Sequence, residues 1–183
     1  MLAFLASIRD LCLFRRGPED LPYSPALLIA LLIASVVIEG LFDAYRGVQP
    51  LLMPVALAGT LATLGVLFLV LRGRRKPERF MQTALALVTT SLLFELIVLP
   101  LSLLVMPFAQ AAAHATNPPN PTQAQALALL AMFAFAIWQI CISVNILRRA
   151  LEIPIVGGVL VLLLLVCVNW IVVSLGAHLV GVT

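Results

Sequence analysis

An all-α integral membrane protein is what this chain predicts: five transmembrane helices in one bundle, preceded by a short interfacial helix. Three observations predict it. Five long apolar stretches, separated by short polar joints, fill almost all of the 183 residues. Hydrophobic residues make up 63% of the chain and charged residues 10%, too few to cover a water-soluble fold. Ten of the eleven Lys and Arg fall in joints on one side of the apolar stretches. The chain divides into residues 1–22, a cytoplasmic or interfacial N-terminal segment, and residues 23–183, the five-helix transmembrane domain.

Met1–Phe14 reads as a helix lying in the membrane interface, with Phe4, Leu5, Ile8 and Leu11 towards lipid, although Leu2 and Leu13 interrupt its polar face. It is not a secretory signal, because Arg9, Arg15 and Arg16 follow the apolar residues rather than precede them. Gly17-Pro18 ends it, and Tyr23 is placed to anchor the interface. A hydrocarbon core of ~30 Å needs about 20 apolar residues per helix. On that length the spans are Pro25–Phe42, Leu51–Leu71, Phe80–Leu99, Gln123–Leu147 and Ile153–Val180. Helices are the form expected, since lipid offers backbone amides no other partner and the spans are too long and uniform for barrel strands. Pro100 and Pro107 should kink or end the third span. Ala109–Thr122 carries no charge and contains Asn-Pro-Pro-Asn-Pro, an extended linker.

Arg9, Arg15 and Arg16 precede the first span, Arg72, Arg74, Arg75, Lys76 and Arg79 join the second to the third, and Arg148 and Arg149 follow the fourth; only Arg46 falls on the other side. The positive-inside rule then places the N-terminus in the cytoplasm and the C-terminus outside. The net charge of +3 is this signal and not a nucleic-acid footprint, because no aromatic residues interleave with the basic ones.

Ordinary chemistry finds little to work with. Cys12, Cys141 and Cys167 imply no disulfide framework, and His114 and His178 lack a third metal ligand. No phosphate loop, zinc-helix motif or nucleophile elbow is present. Hydroxyls within the spans (Ser35, Thr89, Thr90, Ser91, Ser143 and Ser174) should bond to carbonyls of their own helices. No catalytic residue, cofactor site or metal site is expected. Ala58, Gly59, Ala62, Thr63 and Gly65 form a small-residue face on the second span, and Gly157-Gly158 opens a gap at the start of the fifth. Trp138, Gln139, Asn145, Asn169 and Trp170 are expected in the bundle core.

The exceptions are Glu39 and Glu95. Both lie in spans that run outward, and at ~1.5 Å per residue both sit roughly 21–23 Å from the cytoplasmic edge. Each follows a serine at i−4, Ser35 and Ser91, so hydroxyl and carboxyl share a helical face. Leu31, Ser35 and Glu39 match Leu87, Ser91 and Glu95 at a constant offset of 56, and a further 74 places Asn169 at the same level, with Leu165 where a serine would stand. Glu39, Glu95 and Asn169, with Ser35 and Ser91, are therefore the candidate intramembrane polar site. An acid in hydrocarbon costs several kcal/mol and is functional by default. A carboxyl pair is suited to carrying protons or binding a cation; its bland counterpart is a set of hydrogen bonds fixing helix contacts.

Two runs carry a family likeness. Asp20-Leu21-Pro22-Tyr23-Ser24-Pro25-Ala26-Leu27-Leu28 resembles the entry into the first span of Yip1-domain proteins, with Ser24 where that family has Gly. Leu13-Phe14-Arg15-Arg16-Gly17-Pro18 resembles the start of short bacterial members. The likeness implies five spans, a cytoplasmic N-terminus and residence in a bacterial inner (plasma) membrane. Bacterial relatives generally lack an assigned activity. The chain is expected to be a non-enzymatic scaffold or assembly factor acting through helix–helix contacts, with the lipid bilayer and membrane proteins or further copies of itself as partners. The alternative from a different class is a small proton- or cation-coupled transporter or channel subunit using Glu39 and Glu95.

Overall fold

A computed structural model describes residues 2–46, 52–114 and 120–179. They form α1 (Leu2–Cys12), α2 (Pro25–Arg46), α3 (Leu52–Gly73), α4 (Phe80–His114), α5 (Gln123–Leu151) and α6 (Ile155–Leu179), with 3-10 turns at Pro18–Asp20 and Pro77–Arg79. No strand occurs among the described residues. Helices α2 to α6 are each long and apolar enough to cross a membrane. Met1, Leu51 and Val180, at the limits of predicted segments, lie outside the described residues, as do Asn117-Pro118-Pro119 of the linker and the side chains of Phe4, Leu5, Arg46 and His114.

The ends are set by short polar signals. Ser24 Oγ accepts from Leu27 N at 3.3 Å, and Pro25 takes the first position of α2, where its missing N–H is not needed. Thr122 and Gln125 cap α5 reciprocally, Gln125 N donating to Thr122 Oγ1 (3.4 Å) and Thr122 N to Gln125 Oε1 (2.9 Å). At the other end of α5, Glu152 adopts φ 52° and Ile153 N donates to Arg148 O at 3.1 Å, with Pro154 preventing continuation.

The packing runs in a partial ring. Helix α3 lies along α6, α6 against α5, α5 along α4, and α4 against α2; α2 touches α3 only lightly. The main hydrophobic core sits in the half of the bundle nearest the basic joints. Leu67 and Leu71 of α3, Ala84, Leu85 and Ala86 of α4, and Ile142, Ile146 and Leu147 of α5 are buried there. Further along, α4 and α5 hold together through Phe94, Phe135 and Trp138, with Phe94 and Trp138 edge to face at 5.6 Å.

Two expectations are corrected. Helix α4 does not end near Leu99 but continues through Pro100 and Pro107 to His114. Each proline frees one carbonyl of the preceding turn, a loss that a long helix supported by a neighbour can absorb. The uncharged linker is shortened accordingly. Helix α1, in turn, does not present Ile8 and Leu11 to lipid. They are 8% and 1% exposed and pack, with Cys12, into the core beside α4. An apolar stripe states which face is covered and not by what. Burial also pushes the Cys12 thiol above its ordinary value, which lowers the fraction present as thiolate.

Charged side chains stitch the basic end. Arg79 donates to the carbonyls of Arg149 (3.3 Å) and Ala150 (3.4 Å), closing the C-terminus of α5. Arg149 donates to Phe14 O at 3.3 Å, and Gln82 to the carbonyls of Glu19 (3.1 Å) and Leu21 (3.0 Å). Glu152 pairs with Lys76 and with Arg79 (2.8 Å). The hydrogen bond and charge of Lys76, and then the charge of Arg79, hold the Glu152 carboxyl below its ordinary range. An unfolded glutamate titrates near pH ~4.3. The pairing therefore contributes stability above that pH and loses it as pH falls through the lower folded value. The difference in melting temperature between the native protein and Glu152→Gln is expected to be small, present at neutral pH and gone in acid. A difference that persisted in acid would assign Glu152 a role other than its charge.

Candidate functional site

Beyond the packed half, the helices enclose a cavity of about 350 Å³ with walls from all five long helices. Its lining is layered. Counted at ~1.5 Å per residue from the basic end of each helix, Glu39 (α2), Thr60 (α3), Glu95 (α4) and Asn169 (α6) lie about 20–23 Å along. Ser35, Thr63 and Ser91 lie about 15–17 Å along, and Leu32, Leu67, Leu87 and Leu162 about 9–11 Å. An acid and amide layer thus stands over a hydroxyl layer, which stands over a leucine floor. Glu39, Ser91 and Asn169 are exposed, whereas Leu67 is 1% and Leu165 4% exposed, so the acid and hydroxyl layers are more open than the floor at Leu67.

The hydroxyls present a particular polarity. Ser35 Oγ donates to Leu31 O (3.0 Å), Thr60 Oγ1 to Ala56 O (3.1 Å) and Thr63 Oγ1 to Gly59 O (2.9 Å). A hydroxyl has one proton to give and two lone pairs, so these three use their donor on their own helix and retain acceptors. Ser91 Oγ accepts from Gln139 Nε2 at 3.5 Å. Glu39 and Glu95 both take part in polar interactions with their surroundings. The layer is fixed across the α3–α6 seam by a missing side chain. A Cβ on Gly59 would stand 2.5 Å from Asn169 Oδ1 and 2.9 Å from Val173 Cγ2, so only glycine admits Asn169 against α3.

All five residues singled out from the sequence, Ser35, Glu39, Ser91, Glu95 and Asn169, line this one cavity, and Leu165, at the position where the repeat lacks its serine, lines it too. Thr60, Thr63 and Ser143 complete the polar wall and were not singled out for it. Their spans run opposite to those of the acids, and the register between antiparallel helices is not written in either. Thr89 and Thr90 bond to the carbonyls of Leu85 (2.6 Å) and Ala86 (2.9 Å), away from the cavity. Asn145 is not among the walls, and its Nδ2 is buried without a hydrogen-bond partner. Trp170, expected in the core, is 71% exposed and faces outward, one residue round the helix from Asn169. A second cavity, of about 330 Å³, lies at the basic end between Gly73, Arg74, Arg75, Lys76, Leu151 and Glu152 and holds the Lys76–Glu152 ion pair. Among the described residues no group of three or more His, Cys, Asp and Glu is placed to hold a metal ion.

Compared with family models, with curated proteins and with solved structures, the chain finds no match.

Proposed function

We propose that this is a multi-pass membrane protein that binds a proton or a small cation at Glu39 and Glu95 as part of a carrier cycle. The observation that carries this reading is the shared cavity. Two carboxyls, an amide and several hydroxyl acceptors converge in the part of the bundle that the membrane-length helices would hold within lipid. Polar groups at that depth cost several kcal/mol, and a cation is the ligand that offsets such a cost. A scaffold working through helix contacts has no use for a polar cavity, although the close α3–α6 seam would serve either role. The likeness to Yip1-domain proteins adds a membrane topology and no substrate.

The basic end is cytoplasmic in this reading, the membrane a bacterial inner membrane, and the acid end of the cavity faces outward. Single cysteines at Arg75 and Asn120, in a chain whose Cys12, Cys141 and Cys167 are replaced, should then label from opposite sides of the membrane. Labelling from one side would remove a span and the orientation with it. The function itself is tested in liposomes containing a pH-sensitive dye. A proton, Na⁺, K⁺ or methylammonium gradient should drive a dye response that protein-free vesicles lack. Silence with all four, together with a stable membrane-protein partner on purification, would establish the scaffold instead.

A further inference from the structure

The cavity's lining specifies more than positive charge. Its wall is rich in acceptors: the two carboxyls, and the hydroxyl oxygens of Ser35, Thr60 and Thr63, whose protons are already given to the carbonyls of Leu31, Ala56 and Gly59. A proton alone would engage few of the hydroxyl oxygens, and about 350 Å³ is far larger than a bare alkali ion requires. The complementary ligand is one with several N–H donors on a single positive centre. Below the acceptors the lining turns mainly apolar, through Leu64 and Val88, with the single hydroxyl of Ser143 at their level, to the floor at Leu67 and Leu162, and the acid layer stands about 11 Å above that floor by helix rise. A bare inorganic cation gains nothing from such a floor, whereas a short hydrocarbon does.

We propose, resting on the cation-binding reading above, that the ligand is a primary alkylammonium ion, its ammonium among Glu39, Glu95 and the hydroxyl oxygens and its chain directed at the leucine floor. Binding is non-covalent: the three N–H groups replace water with carboxylate and hydroxyl acceptors, and the chain loses its hydration against leucine. Three consequences distinguish such a site from a simple cation site. Affinity rises with chain length and then stops at the floor. A quaternary ammonium of equal size, which has charge but no N–H, binds more weakly. A neutral alcohol of equal length, which has the chain but no charge, binds more weakly still.

The test is titration calorimetry of the full chain in nanodiscs with the n-alkylammonium series from methyl to octyl, beside tetramethylammonium, Na⁺ and the n-alkanols. The same nanodiscs carrying the Glu39→Gln/Glu95→Gln double variant correct for partition into lipid. Affinity should rise about fourfold per methylene, the factor for a buried CH₂, and level off at a chain of about six carbons, the length that fits ~11 Å of helix rise. The matching alkanols should bind at least about tenfold more weakly, as expected when charge-assisted hydrogen bonds are lost. Binding of methylammonium or Na⁺ without any gain from added methylenes would overturn the alkylammonium assignment and leave the cation site standing. So would tetramethylammonium binding as tightly as the primary ions. No binding by any cation to the folded native protein would overturn both. If the double variant does not fold, the contrast between ammonium and alkanol series on the native chain decides the matter alone.

Discussion

Glu39→Gln and Glu95→Gln are each expected to abolish cation- or proton-linked flux while leaving the bundle folded. Glutamine keeps the volume and a carbonyl acceptor of the glutamate it replaces, so the helix contacts around the cavity survive. It neither titrates nor carries charge, so the cation loses its charge-assisted partner. Such hydrogen bonds contribute about 1.5–3 kcal/mol, roughly ten- to a hundredfold in affinity. Leucine at either position should act differently, removing every acceptor and disturbing the layer that Glu39, Glu95 and Asn169 form. Flux in liposomes and thermal unfolding in detergent separate the two. If both glutamine variants carried native flux, the carboxyl pair would be structural and the site would lie elsewhere.

The second large effect is expected at the α3–α6 seam. A Cβ on Gly176 would stand 2.4 Å from Val55 Cγ1, and one on Gly59 2.5 Å from Asn169 Oδ1. The obstacles differ in kind. Val55 is buried and β-branched and has few rotamers to move into, so Gly176→Val should cost about 1–3 kcal/mol by overpacking. At Gly59 the nearer obstacle, Asn169, has a free end that can swing, and only the second, Val173 Cγ2 at 2.9 Å, is β-branched and must shift slightly. For Gly59→Ala the clash is set against the ~1 kcal/mol that alanine gains over glycine within a helix. Stability should therefore stay near native while Asn169 is displaced and cation binding weakens. Adding Asn169→Ala removes the larger of the two clashes and should make Gly59→Ala more favourable than it is in the native background, a coupling that a double-mutant cycle measures. Additive effects would mean that Gly59 and Asn169 do not meet.

These two experiments bear on features of unequal visibility. Five apolar runs made the helices readable, because membrane length and the absence of any other backbone partner leave one solution. Glu39 and Glu95 were readable as a pair for a similar reason: an acid is conspicuous in a run of leucine and valine. Their shared level followed from counting along parallel spans. Thr60 and Thr63 were not readable as part of the site, because a threonine in such a helix normally satisfies itself on its own backbone, as these do. What recruits them is the sliding position of α3 along α6, set by Gly59 and Gly176. Pro100 was misleading in the opposite sense. It marks a missing hydrogen bond, yet whether a helix stops there depends on what supports the far side, and α5 runs alongside.

The length of α4 has a mechanical consequence. Its 35 residues rise about 52 Å, some 20 Å more than the hydrocarbon thickness of a typical bilayer. Such a helix meets the mismatch by tilting, by bending at Pro100 and Pro107, or by projecting its alanine-rich end into water. Glu95 lies about five residues before the first of these hinges, on the part that the basic end holds in place. Membrane thickness would then be taken up mainly beyond Pro100, and the acid layer would keep its depth as the lipid around it changes.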